Sequence, residues 1–546
     1  MRSATGPLLS IDLDEQTAET ESIDDVLDAF VGGRGVGTKL AYDRVPFDAD
    51  PLGSENRLTF AAGPLQTART SFTGRMNCTG LSPLTDGILS SNAGGFLSRN
   101  AVATGYSAVE IAGESDELLI VHVSDTGVGF EPVPELAGAA VSAVSEHVVG
   151  RGLDASHVAC IGPAGENLVR FASIMTSESR TFGRGGLGAV LGSKNVKAIT
   201  FSGDSAPETE FPAVASDIHR DAAESDHVMK RQGTASLTEF ASQVGALPTH
   251  YYSELEFEGS DGISGDRVEE KKFRKGTCSA CAFACKLPTR DEASGLETEG
   301  PEFETVMAFG SNCGIDEITS VMKSNDLCDE LGMDTISCGA TVAAYLESED
   351  AFGDAELVHA LVEKIARREG MGDVLAEGID RIHDELGVEN WSSKGMPFAA
   401  HDGRALNGQG LAFATSNRGA DHLYGGLYTY EYPLVEKSEA LDPEGMAGKP
   451  EKLVASENHN ALLDSAICCK FSRTVLTDKR LATLLDAEYE RLLETGARIV
   501  ALERRFNNER GFDRSDDDLP YELPGFEDAL DEYYRLRDWN PDGTVP

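Results

Sequence analysis

The sequence predicts an α+β protein in which a β-rich N-terminal domain, residues 1–205, is followed by a mainly helical remainder. Two patterns predict it. Up to about residue 205, short runs rich in β-branched and other apolar residues (LLSIDL, RLTFAAG, AVEIAG, LLIVHVS, HVACIG, AITFSG) are each closed by Gly, Asp or Asn, which is strand punctuation. From about residue 206, apolar residues recur at helical spacing in DIHRDAAESDHVMKRQ, TSVMKSNDLCDELG, ISCGATVAAYLES, AELVHALVEKIARREG and LLDAEYERLLETGARIVALERRF. The polar, Pro-containing connector ITFSGDSAPETEFP marks the change of character. A second boundary is placed near 395, around SSKGMPF, giving helical domains at 206–395 and 396–546.

The chain has 546 residues, enough for several large cores. It carries 47 Lys and Arg against 92 Asp and Glu, a formal charge of −45 dispersed along its whole length. Such a surface repels nucleic acid and anionic membranes. A dispersed excess of this size suits molar salt, where the Debye length is about 3 Å, and predicts a halophilic protein. No apolar run is long enough to span a membrane, and the N-terminus lacks the basic flank and apolar core of a secretory signal, so a cytoplasmic location is expected.

Ten cysteines in a large chain of this kind do not read as a disulfide framework. Three stand apart: Cys278, Cys281 and Cys285 in KGTCSACAFACKLP, spaced C-x2-C-x3-C. Thiolates hold iron–sulfur clusters, and a cubane needs four of them, so three on a tight turn leave a fourth to arrive from elsewhere. A structural zinc site is the competing reading, although it usually pairs C-x2-C with a second nearby pair. Unligated buried thiols are the third. Fourth-ligand candidates are Cys468 and Cys469 in LLDSAICCKF, and spacing does not choose between them.

Two glycine-rich stretches carry basic residues: FVGGRGVGTK (30–39) and SRTFGRGGLGAVLGSKNVKAI (179–199). Gly lets backbone N–H groups close on phosphate oxygens. The same stretches also read as tight turns in a β domain. The lysine of GAVLGSK does not fit G-x4-G-K-[ST], which removes a P-loop, and neither stretch has the dinucleotide fingerprint.

Taken together, these segments resemble the tungsten-containing aldehyde:ferredoxin oxidoreductase family over almost the entire chain. The likeness rests on FVGGRGVGTKL, Thr73-Gly74-Arg75, SPLTDGILSSNAGG, IGPAGENLVRFA, FGRGGLGAVLGSKNVKAI, the C-x2-C-x3-C motif, GPEFET, DELGMDTIS, GLAFATSNRGADHL and DSAICCKF, in the family's order. The resemblance implies an N-terminal base of two sheets carrying a bis-pterin tungsten (or molybdenum) centre, covered by two helical domains. No side chain would ligate the metal, so the protein's task is to hold two large anionic cofactors. By motif, Arg75, Asn92, Gly94 and Arg180 are expected at the pterins and their phosphates. Asn92 and the carbonyl of Thr181 are expected at a bridging magnesium. Asp329 and Asp334 of DELGMD, and Asp464 of DSAICC with Cys468 beside it, are expected as pterin clamps. The resemblance makes Cys469 the fourth ligand of a [4Fe-4S] cluster with Cys278, Cys281 and Cys285.

Glu304 in GPEFET and His422 in GADHL match the family's two residues on the substrate side of the metal. A His N–H polarises a carbonyl, and a carboxylate in an apolar cavity manages a proton. In isolation each would read as structural. The implied reaction oxidises a small aldehyde to a carboxylic acid, with electrons leaving through the cluster to ferredoxin. Rivals are a carboxylic or aromatic acid reductase, an enzyme acting on a sugar phosphate, or a non-catalytic iron–sulfur electron-transfer subunit. Two positions depart from the family. Tyr424 stands where a prototype has a basic cofactor contact, and Lys323 stands where some relatives carry a carboxylate for a metal between subunits. The second departure argues against a metal-bridged pair, while a homodimer held otherwise is retained.

Overall fold

A computed structural model of the chain describes every residue except 177–178 and 433. Twelve strands from the first 202 residues form two six-stranded sheets. The first runs β2-β1-β6-β3-β4-β5, from Leu8–Asp12 (β1), Thr17–Glu21 (β2), Leu58–Ala61 (β3), Met76–Leu81 (β4), Ile88–Ala93 (β5) and Ala108–Ala112 (β6). The second runs β11-β10-β9-β12-β7-β8, from Leu119–Ser124 (β7), Gly127–Pro132 (β8), Val158–Cys160 (β9), Ile174–Thr176 (β10), Arg180–Phe182 (β11) and Val196–Ser202 (β12). Both sheets are mixed: β1 pairs parallel with β6 and β12 parallel with β7, while the other pairings are antiparallel.

Alternation decides what each face covers. Leu119, Val121 and Val123 of β7 share a core with Phe60 and Ile111 of the first sheet, so the sheets pack face to face. Phe60 meets Phe182 and Phe201 edge-on with ring centroids 5.6 and 6.1 Å apart. Ile120, between Leu119 and Val121, points the other way. It packs with Val144 and Val148 of a helix on the outer face. The far face of the first sheet is covered by helix α1 (Gly33–Arg44), whose Val36 and Leu40 meet Leu8, Ala61 and Ala108.

The remainder is helical. Five helices frame the site: α2 (Phe303–Phe309), α3 (Ile318–Leu331), α4 (Thr335–Glu349), α5 (Lys449–Ala466) and α6 (Tyr489–Glu509). Asp334 caps α4, its carboxylate accepting from the backbone N–H groups of Ile336 and Ser337. Helices α5 and α6 pack closely because residue 496 is Gly: a β-carbon there would sit 1.9 Å from the carbonyl oxygen of Asn458. The periodic stretch 484–506 is not one helix. It breaks at Asp486, which adopts φ 51° and caps the preceding Asp478–Leu485 helix. Among the described residues, no helix is long and apolar enough to cross a membrane.

Candidate active site

The four cysteines singled out line one recess, together with Phe72, Gly74, Arg75, Thr277, Phe283, Ala284 and Phe471. Three segments build it. The 278–285 turn is pinned to the N-terminal domain by two bonds, Ser279 N–H to the Gly95 carbonyl (2.9 Å) and Ala282 N–H to Ser71 Oγ (2.9 Å). Cys469 arrives after α5, its N–H donating to the Phe72 carbonyl at 2.8 Å. The third segment follows β5, where Gly94 lies against Cys278 so closely that a β-carbon would stand 3.1 Å from its sulfur. Among the described residues, no three His, Cys, Asp or Glu side chains gather as they would around a single metal ion. The thiols instead ring a space, which fits a polyatomic cluster better than zinc.

Charge tunes these thiols. Burial pushes Cys278 up, but the Lys286, Arg180 and Arg75 cations outweigh it and hold its thiol below the usual range. Burial pushes Cys285 up to about 12 despite Lys286. Cys468 turns away from the recess. Its side chain is 1% exposed and packs in an apolar cluster with Leu462, Leu463 and Leu481, so it contributes no thiol to the site. Cys468, expected as a cofactor contact, has its side chain in the core, while its neighbour Cys469 lines the recess, since adjacent residues project to different sides of the chain.

The edges of the two sheets meet beside this recess, β5 lying next to β11, which brings Asn92 and Gly94 near Arg180 and Thr181. Asn92 donates to Asp464 Oδ1 at 2.9 Å, and Asp464 Oδ2 accepts from Lys470 (3.0 Å) and Arg34 (3.3 Å). Arg180 pairs with Glu299. Asp329 accepts from Asn325 at 3.2 Å, and burial pushes its carboxyl well above the usual range despite Arg180. Asp334, besides capping α4, lies 3.6 Å from Arg184 Nε. Thr181 Oγ1 donates to the Ile174 carbonyl. Several buried guanidinium N–H groups have no hydrogen-bond partner among the described residues: Arg99 Nε and Nη1, Arg184 Nε and Arg418 Nε. Unpaired donors of this kind suit an anionic partner.

Glu304, in the first turn of α2, holds Oε2 on the Ala400 N–H at 2.8 Å. Its Oε1 lies 3.3 Å from His422 Nε2 and 3.4 Å from His401 Nε2. His401 stacks on Tyr428, ring centroids 3.7 Å apart and 4° from parallel. Burial, with the neighbouring His422 and Arg473, drives its imidazole well below the ordinary range, which keeps it neutral. Both histidine Nδ1 atoms, Glu304 Oε1 and the Tyr432 hydroxyl lack hydrogen-bond partners among the described residues. A carboxylate flanked by two imidazoles, with polar atoms left open, is equipped to orient a carbonyl and move a proton.

Sequence reasoning missed His401, since a lone His in AHDG carries no local signal. It also left FVGGRGVGTK open between anion loop and turn; Gly33–Gly37 form the first turns of α1. Arg34 grips Glu503 with two 2.7 Å bonds, and its guanidinium lies 3.4 Å from the Tyr424 ring centroid. Tyr424 donates to the Ser90 carbonyl, and Arg418 lies over the same ring at 4.6 Å. The tyrosine thus seats two cations beside the site rather than supplying one. Lys323 is paired with Asp326 on the surface of α3.

The sequence profile described as "Aldehyde ferredoxin oxidoreductase, N-terminal domain" matches residues 8–203, and that described as "domains 2 & 3" matches residues 213–546. The chain belongs to the aldehyde ferredoxin oxidoreductase family. It is 33% identical to the tungsten-containing aldehyde ferredoxin oxidoreductase of Pyrococcus furiosus over 99% of this chain and 97% of that protein. The same enzyme of Thermococcus kodakarensis is 32% identical over the same shares. The WOR-like subunit of an aliphatic sulfonate oxidoreductase of Pyrococcus furiosus is 26% identical over 95% of this chain and 89% of that one. In fold, the chain matches the BamBC active-site complex of benzoyl coenzyme A reductase, with 1,5-dienoyl-CoA bound. The TM-score is 0.84 at 22% identity, over all of this chain and 96% of the other. The α+β architecture expected from the sequence is therefore that of the family.

Proposed function

We propose that this oxidoreductase converts an aldehyde to a carboxylic acid at a bis-pterin tungsten (or molybdenum) centre and delivers the electrons through a [4Fe-4S] cluster to ferredoxin in the cytoplasm. The observation that carries the reading is the Glu304–His422 contact of 3.3 Å in a buried site. Asp464 and Cys469 supply support of a different kind. One short segment offers a carboxylate to one group and a thiolate to another, which keeps the two centres within electron-transfer reach.

When bound, the pterin metal would supply the two-electron acceptor and the cluster a one-electron exit. Cys278, Cys281, Cys285 and Cys469 would hold the cluster. Arg75, Arg180, Arg184 and Arg418 would neutralise the pterin phosphates, with Asp329, Asp334 and Asp464 on pterin ring N–H groups. Asn92 and the Thr181 carbonyl would serve a magnesium ion. His422 orients the aldehyde oxygen through Nε2–H. Glu304 accepts a proton from the attacking water, and neutral His401 lies 3.4 Å from the same carboxylate oxygen, beside His422. The reaction balances as aldehyde plus water giving carboxylic acid, two protons and two electrons, each ferredoxin taking one electron. Within this reading, residues 1–205 form the base, and 206–395 and 396–546 the covering domains.

The test is metal, iron and pterin analysis of protein purified anaerobically, followed by an aldehyde screen with ferredoxin or a viologen dye. Tungsten or molybdenum near one per chain, with pterin, four irons and aldehyde-dependent reduction, is expected. Iron without pterin or turnover would replace this reading with an electron-transfer subunit. Turnover only in the acid-reducing direction would reverse its sense.

A further inference from the structure

Residues 271–290 are anomalous in this chain. They contain six basic residues (Lys271, Lys272, Arg274, Lys275, Lys286 and Arg290) and no acidic one, whereas at the chain's overall frequency twenty residues would carry about three acids. The same segment supplies three of the four recess cysteines.

The structure separates these six cations by task. Lys271 is paired with Asp291 at 2.8 Å and Arg290 with Glu297 at 2.6 Å. The Lys272 ammonium donates to the carbonyl of Lys230. Lys286 is buried, and its charge acts on the thiols. Arg274 and Lys275 remain, both exposed and, among the described residues, without an ion pair. Beside them Phe273 is 36% exposed, flanked by the guanidinium of Arg290 at 4.3 Å and of Arg274 at 5.6 Å from its ring centroid. The exposed Thr277 continues from this surface into the wall of the recess, and Cys278 follows it.

Two cations without an ion pair around an exposed aromatic stand out on a chain of charge −45 and have the composition of a protein–protein contact centre, where Arg and aromatic residues are enriched, so the patch suits an acidic partner. Its place at the lip of the thiol recess identifies that partner. We propose that Phe273, Arg274 and Lys275 form the docking surface for a small acidic one-electron carrier protein of the ferredoxin class. This rests on the electron path given under Proposed function. Opposite charge at contact range favours this patch over the acidic remainder of the surface and sets the carrier's orientation. Phe273 supplies the apolar centre of the contact, and the flanking guanidinium groups keep its ring in place.

The test uses the holoenzyme and a purified acidic ferredoxin, with the double variant Arg274→Glu/Lys275→Glu and the single variant Phe273→Ala. Controls are Lys364→Glu and Arg367→Glu, exposed basic positions on a distant helix. Direct binding is measured calorimetrically at low and high salt, and turnover with ferredoxin is compared with turnover on a small viologen dye. The proposal expects at least tenfold weaker ferredoxin binding in the double variant, with the same rise in KM for ferredoxin and a flattened salt dependence. Phe273→Ala weakens binding several-fold. Iron content and viologen turnover stay at the level of the unaltered enzyme, and the controls bind normally. Unchanged ferredoxin affinity in the double variant, or an equal loss in the controls, overturns the proposal. Binding is read without any substrate. Loss of the aldehyde reaction in every form, including the unaltered enzyme, would therefore overturn the Proposed function and leave this measurement intact.

Discussion

The Arg75 guanidinium lies 3.7 Å from the Cys469 sulfur, while its second nitrogen donates to the Asn92 carbonyl at 2.9 Å. One cation thus touches the thiol recess and the strand end where an anionic cofactor is proposed. Burial disfavours its charge, but the Cys469 and Cys278 thiols more than compensate and raise it further above the ordinary arginine range. Replacing Arg75 by Met should lower the reduction potential of the reconstituted cluster. The expected shift is on the order of 60 mV, about one factor of ten for a one-electron couple. A potentiometric titration followed by electron paramagnetic resonance checks this; an unchanged potential would show that the cation only buttresses the strand.

Cys468 and Cys469 make a sharp pair. Cys469→Ser should cost iron and the visible absorption of the cluster. Cys468→Ala should keep both and lower unfolding stability by about 1 kcal/mol through the small cavity left in the α5 core. Iron analysis beside thermal unfolding separates them, and iron loss in Cys468→Ala would reassign the ligand.

Removing the carboxylate with Glu304→Gln, or the imidazole with His422→Asn, should each lower kcat by about 10²–10⁴-fold with cofactor content intact. His401→Gln should cost less, since that ring holds the carboxylate without a direct part in carbonyl binding. Near-normal turnover in both Glu304→Gln and His422→Asn would refute the role assignment.

His401 also carries a pH prediction. Its folded-state pKa is depressed by burial, so the unfolded chain binds the extra proton and stability falls as pH drops through the unfolded value of about 6.5. At pH 5 the destabilisation from this group is at most about 2 kcal/mol. Denaturant melts of His401→Gln should show a correspondingly smaller loss between pH 7 and pH 5, and an identical loss in both proteins would show that the ring titrates normally.

The net charge predicts a salt requirement. With 92 acidic side chains, self-repulsion at low ionic strength acts over about 10 Å and shrinks to about 3 Å in molar salt. The melting temperature should therefore climb steeply between 0.1 and 2 M NaCl or KCl, read by calorimetry; full stability at 0.1 M would remove the halophilic reading.

The sequence by itself determined the architecture and marked the candidate residues for the chemistry. Each of the six runs quoted from the first 205 residues became a strand, because an apolar stretch and its closing turn residues are local signals, whereas the Val-rich run Val141–Gly150 became a helix. The C-x2-C-x3-C turn was legible because its three thiols lie within eight residues. Spacing did not choose between the two adjacent cysteines; the family motif pointed to Cys469, and the fold brings that side chain to the recess because its neighbour meets the core. Long-range packing likewise brought His401 to Glu304 across 97 positions and Arg34 to Glu503 across 469. Neither partner carries a mark in its own neighbourhood. A buried charge or ring is satisfied by whatever the fold delivers to it, and that information resides in the packing of helices on sheets rather than in spacing along the chain.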